Sequence, residues 1–149
     1  MQGVELFGVG ITVLVTVSLG MVAHECTHAA VLHSLGIPYD IDWVPSGETG
    51  GILAAGLFGT WATVTPQRIP RGVPTWGLQL SAIAPFALAA PLALVAVGIL
   101  PDPLAANSPL VAAVTVAWLG CAIPSPQDFS LFWHAGEIAD EQGNPTPER

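Results

Sequence analysis

A long apolar run near the start of the chain constrains its fold more than any other feature. From Val4 to Ala23 the only charged residue is Glu5, at the edge of the run. A helix of about 20 residues is about 30 Å long, which matches the hydrocarbon thickness of a bilayer. The run therefore predicts a helix that crosses a membrane. It lacks the basic start of a secretory signal peptide and is longer than the apolar part of one, so we expect it to stay uncleaved.

Two later segments repeat this apolar character, at residues 73–100 and 107–123. Over the whole chain 52% of the residues are hydrophobic and 9% are charged, whereas a soluble domain carries about 25% charged residues. We therefore expect an all-α integral membrane protein with about three transmembrane helices, over residues 4–33, 73–100 and 107–123.

The segment between the first two spans breaks the helical pattern. Gly36 offers a left-handed cap for the first helix, and Pro38 prevents that helix from continuing. A Gly-rich stretch follows at 46–51, and residues 60–65 alternate in the manner of a strand with β-branched side chains. These signals predict a Gly-rich, partly β-like loop, which forms either a hairpin or a re-entrant membrane loop over residues 46–66.

The first span runs into an HExxH motif, His24-Glu25-Cys26-Thr27-His28. Residues four apart on an α-helix project from one face, about 6 Å from each other, which suits two zinc ligands. The glutamate can take a proton from a water held by the metal, the general-base role that this motif supplies in metalloproteases. Such polar residues are also costly in an apolar span unless they are paired or coordinated. We therefore predict Zn²⁺ as a cofactor, with His24 and His28 as ligands and Glu25 as the catalytic base.

A catalytic zinc usually has three protein ligands, so one more is needed. Because spans alternate in direction, Asp128 at the end of the third span should lie on the same membrane side as the motif, and we favour it as that ligand. It is also a candidate capping acid, because Ser125 and Pro126 occupy the N-cap and first helical positions before it. Glu137 is the alternative. His33 is a weaker candidate, because it faces away from the motif on the helix.

After Asp128 the chain has an amphipathic pattern. Apolar residues recur at helical spacing opposite Asp140 and Glu141, which predicts an interfacial helix over about residues 126–141. The residues 142–149 are polar and Pro-rich, and we expect a disordered tail there. The chain is thus expected to form a single membrane-embedded core over residues 1–141. The apolar positions of the interfacial helix are Phe129, Phe132, Trp133 and Gly136.

An HExxH motif inside one span, with an aspartate after a Pro-containing break in a later span, resembles the site-2 protease family of intramembrane zinc metalloproteases. The resemblance covers residues 4–35 and 104–130, and the chain is little longer than the three-span core of that family. It implies zinc bound by the two motif histidines and Asp128. It also implies that Glu25 activates water to hydrolyse peptide bonds of membrane-embedded or membrane-adjacent substrates.

The last motif departs from the family pattern. The family usually has an asparagine ahead of the proline and a glycine after the aspartate, whereas this chain lacks the asparagine and has Phe129 in place of the glycine. The sequence therefore does not identify the donor that would stabilise an oxyanion, although Ser125 is a candidate. We accordingly expect a divergent, minimal member, a small membrane zincin.

Two other function classes are compatible with the motif. One is a catalytically inactive, zincin-like membrane scaffold, and the other is a metal-binding or transport protein. The intact Glu25 argues against the scaffold, because an inactive protein has no need of the base. The second and third spans contain few polar residues, which argues against a transport path.

The few positive charges predict the orientation. Arg68 and Arg71 lie in the first loop and the second loop has no basic residue, so the motif should lie towards the cytoplasmic side of the cell membrane. The net charge of −8 without lysine is typical of a high-salt cytoplasm, as in a halophilic archaeon, and argues against nucleic-acid binding. The expected partners are the lipid bilayer, a membrane protein or peptide substrate, and either a second copy or a regulatory membrane protein.

Overall fold

The computed structural model describes residues 2–43, 62–67, 69–70 and 72–143. Helices dominate this part of the chain, and one pair of strands in it lies between the first two helices. In chain order the elements are α1 (Gln2–Ser34), β1 (Tyr39–Trp43), β2 (Ala62–Pro66), α2 (Thr75–Ile83), a 3-10 helix (Ala84–Ala89), α3 (Ala90–Ala96), a second 3-10 helix (Pro103–Ala106), α4 (Pro109–Cys121) and α5 (Pro126–Gly143).

Three helical segments are long and apolar enough to cross a membrane, namely Gly3–Ser34, Thr75–Ala96 and Pro109–Asp140. This confirms the expected helical class and the expected number of such segments among the described residues. Large apolar side chains on α1 point outward, among them Leu6 at 75% exposure and Phe7 at 70%. Such a surface suits a lipid environment, because soluble proteins rarely expose extended apolar patches.

The first helix ends where the sequence predicts. Gly36 has a φ of +67°, in the left-handed region that a Schellman cap requires. The amide of Gly36 donates to the carbonyl of His33, and the amide of Ile37 donates to the carbonyl of Leu32, at 3.0 Å each. Leu32 and Ile37 are both buried, so the cap also anchors the start of the loop to the core.

The second span, expected over residues 73–100, is built from three helical pieces. The helix α2 passes into a 3-10 helix at Ala84, which passes into α3 at Ala90. Pro85 and Pro91 each lie at the second position of a new piece. Because proline has no amide to donate to the preceding turn, the hydrogen-bond pattern of the rod changes at both places.

The strands β1 and β2 form a two-stranded antiparallel sheet, in which Ile41 lies opposite Val64. The alternating pattern of residues 60–65 predicts a strand, and β2 confirms it from Ala62 onward. The sheet packs against α1. The segment between α1 and α2 therefore adds a small two-stranded sheet to the helical structure.

Several predictions lie on residues outside the described ranges. They concern the Gly-rich stretch within residues 44–61, the arginines at 68 and 71, and the tail from residue 144 onward. The choice between a hairpin and a re-entrant loop, the orientation in the membrane and the disorder of the tail therefore stay predictions. The tail was expected from residue 142, but α5 continues to Gly143.

The core lies where α1, α2 and α5 meet, and it includes residues of α5 outside the predicted apolar face, whose orientation towards a membrane interface stays a prediction. Phe129 and Trp133, assigned to the apolar face, are 44% and 75% exposed, whereas Ala135 is fully buried and Ile138 packs on the core. The small side chain of Ala135 lets α5 approach α2 closely, which leaves the large aromatic rings outside. The buried residues of this core are Leu32, Ile37, Ile69, Leu78 and Ala135.

Candidate metal centre

His24 and His28 lie one turn apart on α1 and converge, as their spacing predicts. Their Nε2 atoms are 3.2 Å apart, and their rings meet edge to face at a centroid distance of 4.9 Å. Both residues are buried, with 6% and 7% of their surface exposed. The motif therefore presents two imidazole nitrogens at one point inside the helical core.

Asp128 reaches the same point from the first turn of α5. Its Oδ1 lies 3.3 Å from His28 Nε2, and its Oδ2 lies 3.5 Å from His24 Nε2. The amide of Asp128 donates to Ser125 Oγ at 3.2 Å, and the amide of Ser125 donates to Asp128 Oδ2 at 2.6 Å. These reciprocal bonds form a capping box. The start of α5 therefore fixes the carboxylate in an orientation that faces both histidines.

Main-chain carbonyls fix the orientation of both imidazoles. His24 Nδ1 donates to the carbonyl oxygen of Cys121, and His28 Nδ1 donates to that of Ser81, each at 2.8 Å. A carbonyl oxygen only accepts hydrogen bonds, so each Nδ1 carries a proton. In a neutral imidazole the other nitrogen then has a free lone pair. Histidines that bind metals commonly donate their second ring N–H to a carbonyl in this way.

Three electron-rich groups consequently converge at one point. The Nε2 lone pairs of His24 and His28 face each other and the carboxylate of Asp128. Lone pairs and a negative charge this close repel one another unless a proton or a metal cation lies between them. The three residues, whose donor atoms lie within 4.8 Å of one another, could hold a metal ion.

Glu25 lies beside this cluster, on the side of β2. Its Oε2 accepts a hydrogen bond from the amide of Val64 at 3.2 Å. An amide that donates outside the sheet belongs to the unpaired edge of its strand, so this edge of β2 faces the motif. A cavity of about 430 Å³, within the usual range of ligand pockets, lies here. Its lining includes Glu25, the three cluster residues and, from β2, Thr63, Val64 and Pro66.

Close packing between α1 and α4 brings the Cys121 carbonyl to His24. A Cβ atom at Gly20 would lie 2.6 Å from Cys121 Sγ and 2.8 Å from Cys121 Cβ, which is closer than real side chains approach. Gly20 lies four residues before His24 and hence on the same face of α1. The missing side chain at this position therefore lets α4 come within hydrogen-bonding distance of the histidine.

The other candidates from the sequence lie apart from the cluster. Glu137 is exposed, nine residues after Asp128 and hence about 13.5 Å further along the axis of α5. His33 is exposed near the end of α1. Ser125 lines the cavity, and its amide and hydroxyl oxygen both bond Asp128. Within the described ranges, Asp128 is the one acidic residue that joins the two histidines.

Reasoning from the sequence missed the main-chain groups of the site. The carbonyls of Ser81 and Cys121 hold the histidines, and the amide of Val64 holds Glu25. Every residue type except proline offers both groups, so residue identity gives no signal for such partners. Only the packing of α2, α4 and β2 against α1 decides which of them reach the motif.

Comparisons with known proteins identify no relative of this chain. No protein-family model matches the chain, no curated protein is significantly similar to it, and no solved structure matches it. The functional argument therefore rests on the chemistry and geometry of the chain itself.

Proposed function

We propose that this chain is an intramembrane zinc metalloprotease, a divergent relative of the site-2 protease family. The observation that carries the proposal is the convergence of His24, His28 and Asp128 beside Glu25 at one cavity. Catalytic zinc sites use such sets of three ligands and leave a fourth position for water or substrate. A general base next to that position is what peptide hydrolysis at such a site requires.

The spacing of the donor atoms supports zinc as the metal. When zinc has four ligands at about 2.0 to 2.1 Å in a tetrahedron, neighbouring ligand atoms are about 3.3 Å apart. The histidine Nε2 atoms are 3.2 Å apart, and their nearest carboxylate oxygens lie at 3.3 and 3.5 Å. Two imidazoles and one carboxylate also match the nitrogen and oxygen donors that zinc accepts.

Each polar residue has a separate task in this proposal. His24, His28 and Asp128 bind the zinc ion, which when bound polarises the peptide carbonyl and acidifies water. Glu25 accepts the proton of the attacking water as the carbon–oxygen bond forms. It then gives that proton to the leaving amine as the carbon–nitrogen bond breaks. The amide of Val64 keeps the Glu25 carboxylate at the cavity during both transfers.

The surroundings of the cluster favour a peptide bound in extended form. The unpaired edge of β2 borders the cavity, and a strand edge offers main-chain hydrogen bonds to an extended segment. The cluster residues lie on segments able to span a bilayer, so we place the substrate in the membrane or next to it. We assign the site to the cytoplasmic side from the charges of Arg68 and Arg71.

Zinc content provides the first test of the metal site. Elemental analysis of the protein purified in detergent should find about one zinc per chain. The Asp128→Ala variant should lose it, because only the two histidines would remain. The Glu25→Gln variant should keep it, because Glu25 is not a ligand. A parent protein without zinc would contradict the proposal.

Cleavage of a tagged single-span reporter, reconstituted with the protein in liposomes, tests the catalytic role. The parent should cut the reporter, and Glu25→Gln should do so about 10² to 10⁴ times more slowly while retaining zinc. Glu5→Gln is the matched control, since it changes an exposed carboxylate near the other end of α1. Cleavage at the parent rate by Glu25→Gln would remove Glu25 from the mechanism.

A further inference from the structure

The carbonyls that hold the motif histidines lie on helices, where a carbonyl normally has another partner. In an α-helix each carbonyl accepts the amide four residues later, and in a 3-10 helix the amide three residues later. The Cys121 carbonyl at the end of α4 accepts an imidazole N–H in that place, and the Ser81 carbonyl near the end of α2 accepts one in addition to the amide of Ala84. In both cases a proline three or four residues later explains why the carbonyl can accept the imidazole N–H.

Pro85 lies four residues after Ser81. In a continuous α-helix the amide of residue 85 would donate to the Ser81 oxygen, but proline has no amide hydrogen. The oxygen accepts the amide of Ala84 in the 3-10 pattern, and its second lone pair receives His28 Nδ1 at 2.8 Å. An amide at residue 85 would be a third donor for two lone pairs.

Pro124 has the same relation to Cys121. At the end of α4 the amides donate three residues back along the chain, and the next in the series would run from residue 124 to Cys121. Proline has no amide hydrogen to make this bond. The amide of Ser125, four residues after Cys121, donates to Asp128 Oδ2. The carbonyl is therefore left for His24.

A third carbonyl with the same relation to a proline lies away from the cluster. Trp118 Nε1 donates to the Leu88 carbonyl at 3.0 Å. Leu88 belongs to the 3-10 helix, and three residues later Pro91 again has no amide hydrogen.

We propose that Pro85 is a positioning residue for the metal centre, because it keeps the Ser81 carbonyl open for His28. Pro124 does the same for His24. The open carbonyl accepts the Nδ1 hydrogen of the histidine, which directs the Nε2 lone pair to the metal position. This inference rests on the proposed function, since it concerns the binding of zinc. It gives the two prolines a task beyond interrupting a helix.

The variant Pro85→Ala tests the inference, because it restores an amide hydrogen at residue 85. Zinc affinity, measured by competition with a chromophoric chelator, should fall about 10- to 100-fold, as for other losses of a ligand's hydrogen-bond partner. In protein labelled with ¹⁵N-histidine, the Nδ1–H resonance of His28 should shift, and that of His24 should not. The NMR measurement is made on zinc-free protein as well.

Two control variants separate the lost acceptor from a merely structural effect. Pro85→lactic acid has the alanine side chain but an ester oxygen in place of the amide, so it should bind zinc like the parent. Pro91→Ala restores an amide in the same rod, so it should shift the indole N–H resonance of Trp118 and leave zinc affinity unchanged.

Three outcomes would overturn the inference. They are parent-like zinc affinity in Pro85→Ala, an unmoved His28 resonance in that variant, and an equal loss of affinity in either control. A parent protein that binds no zinc would refute the proposed function instead, and the NMR comparison of zinc-free protein would still decide whether Pro85 directs His28.

Discussion

Replacing Asp128 by asparagine separates the two roles that the structure gives this side chain. The carboxylate faces both histidines, and its Oδ2 also accepts the Ser125 amide in the capping box. The oxygen of an asparagine side chain can accept the same amide, and the main-chain amide of residue 128 can still donate to Ser125 Oγ. The Asp128→Asn variant therefore keeps the helix cap and loses the negative charge at the metal centre.

The expected loss of zinc affinity can be bounded from the contacts. Removing a hydrogen-bond partner of a ligand costs about 10- to 100-fold in affinity, so removing a charged ligand itself should cost more than about 100-fold, or about 2.8 kcal/mol. The cap would contribute about 1 kcal/mol if it were lost. Because asparagine preserves it, the zinc-free stability of Asp128→Asn should stay within about 1 kcal/mol of the parent.

Chelator competition measures the affinity, and thermal unfolding in detergent with and without zinc measures the linked stability. At a free zinc concentration of about 100 times its dissociation constant, the parent should gain about 2.7 kcal/mol from binding, and the variant should gain much less. Glu137→Gln is the matched control on the same helix and should behave like the parent. Zinc binding at parent affinity by Asp128→Asn would refute the assignment of the third ligand.

Two further changes test the groups around the cluster. Val64→Pro removes the amide hydrogen that bonds Glu25, so reporter cleavage should slow by about 10-fold or more while zinc affinity is unchanged. Val64→Ala keeps that amide and is the control. Cleavage by Val64→Pro at the rate of Val64→Ala would exclude a role of the Val64 amide. Gly20→Ala forces α1 and α4 apart at Cys121, so the protein should lose about 1 to 3 kcal/mol of stability and bind zinc more weakly. A Cβ atom at Gly10 would meet no atom within 4 Å, so Gly10→Ala should change neither stability nor zinc binding. Weaker zinc binding by Gly10→Ala would contradict the explanation from packing at Gly20.

Much of the helical architecture follows from local sequence patterns. Apolar runs predict three segments able to span a membrane, Gly36 predicts the end of α1, and the alternation after residue 60 predicts β2. The face of α5 could not be predicted in the same way. Ala135 is buried against α2, whereas the larger Phe129 and Trp133 of the predicted apolar face are exposed. In an apolar protein hydrophobicity does not distinguish a side chain in contact with lipid from one in the core.

The candidate site likewise has one part that local sequence predicts and another that depends on packing. The HExxH spacing alone determines that His24 and His28 share a face, because that is a property of the α-helix. Asp128 meets that face only because the start of α5 packs next to α1. The alternation of the predicted spans indicated the side of the membrane on which Asp128 lies, but not this contact. Asp128 rather than Glu137 lies with the two histidines, because the capping box sits at the start of α5, next to the motif.

The sequence by itself determined the helical class, the motif, the N-cap signature before Asp128 and the positions of the prolines. Each of these depends on residues within a few positions of one another. Only the tertiary structure decided that the Ser81 and Cys121 carbonyls hold the histidines and that the Val64 amide holds Glu25. Main-chain groups are the same in nearly every residue, so which of them meet depends on the packing of segments that are distant in the chain.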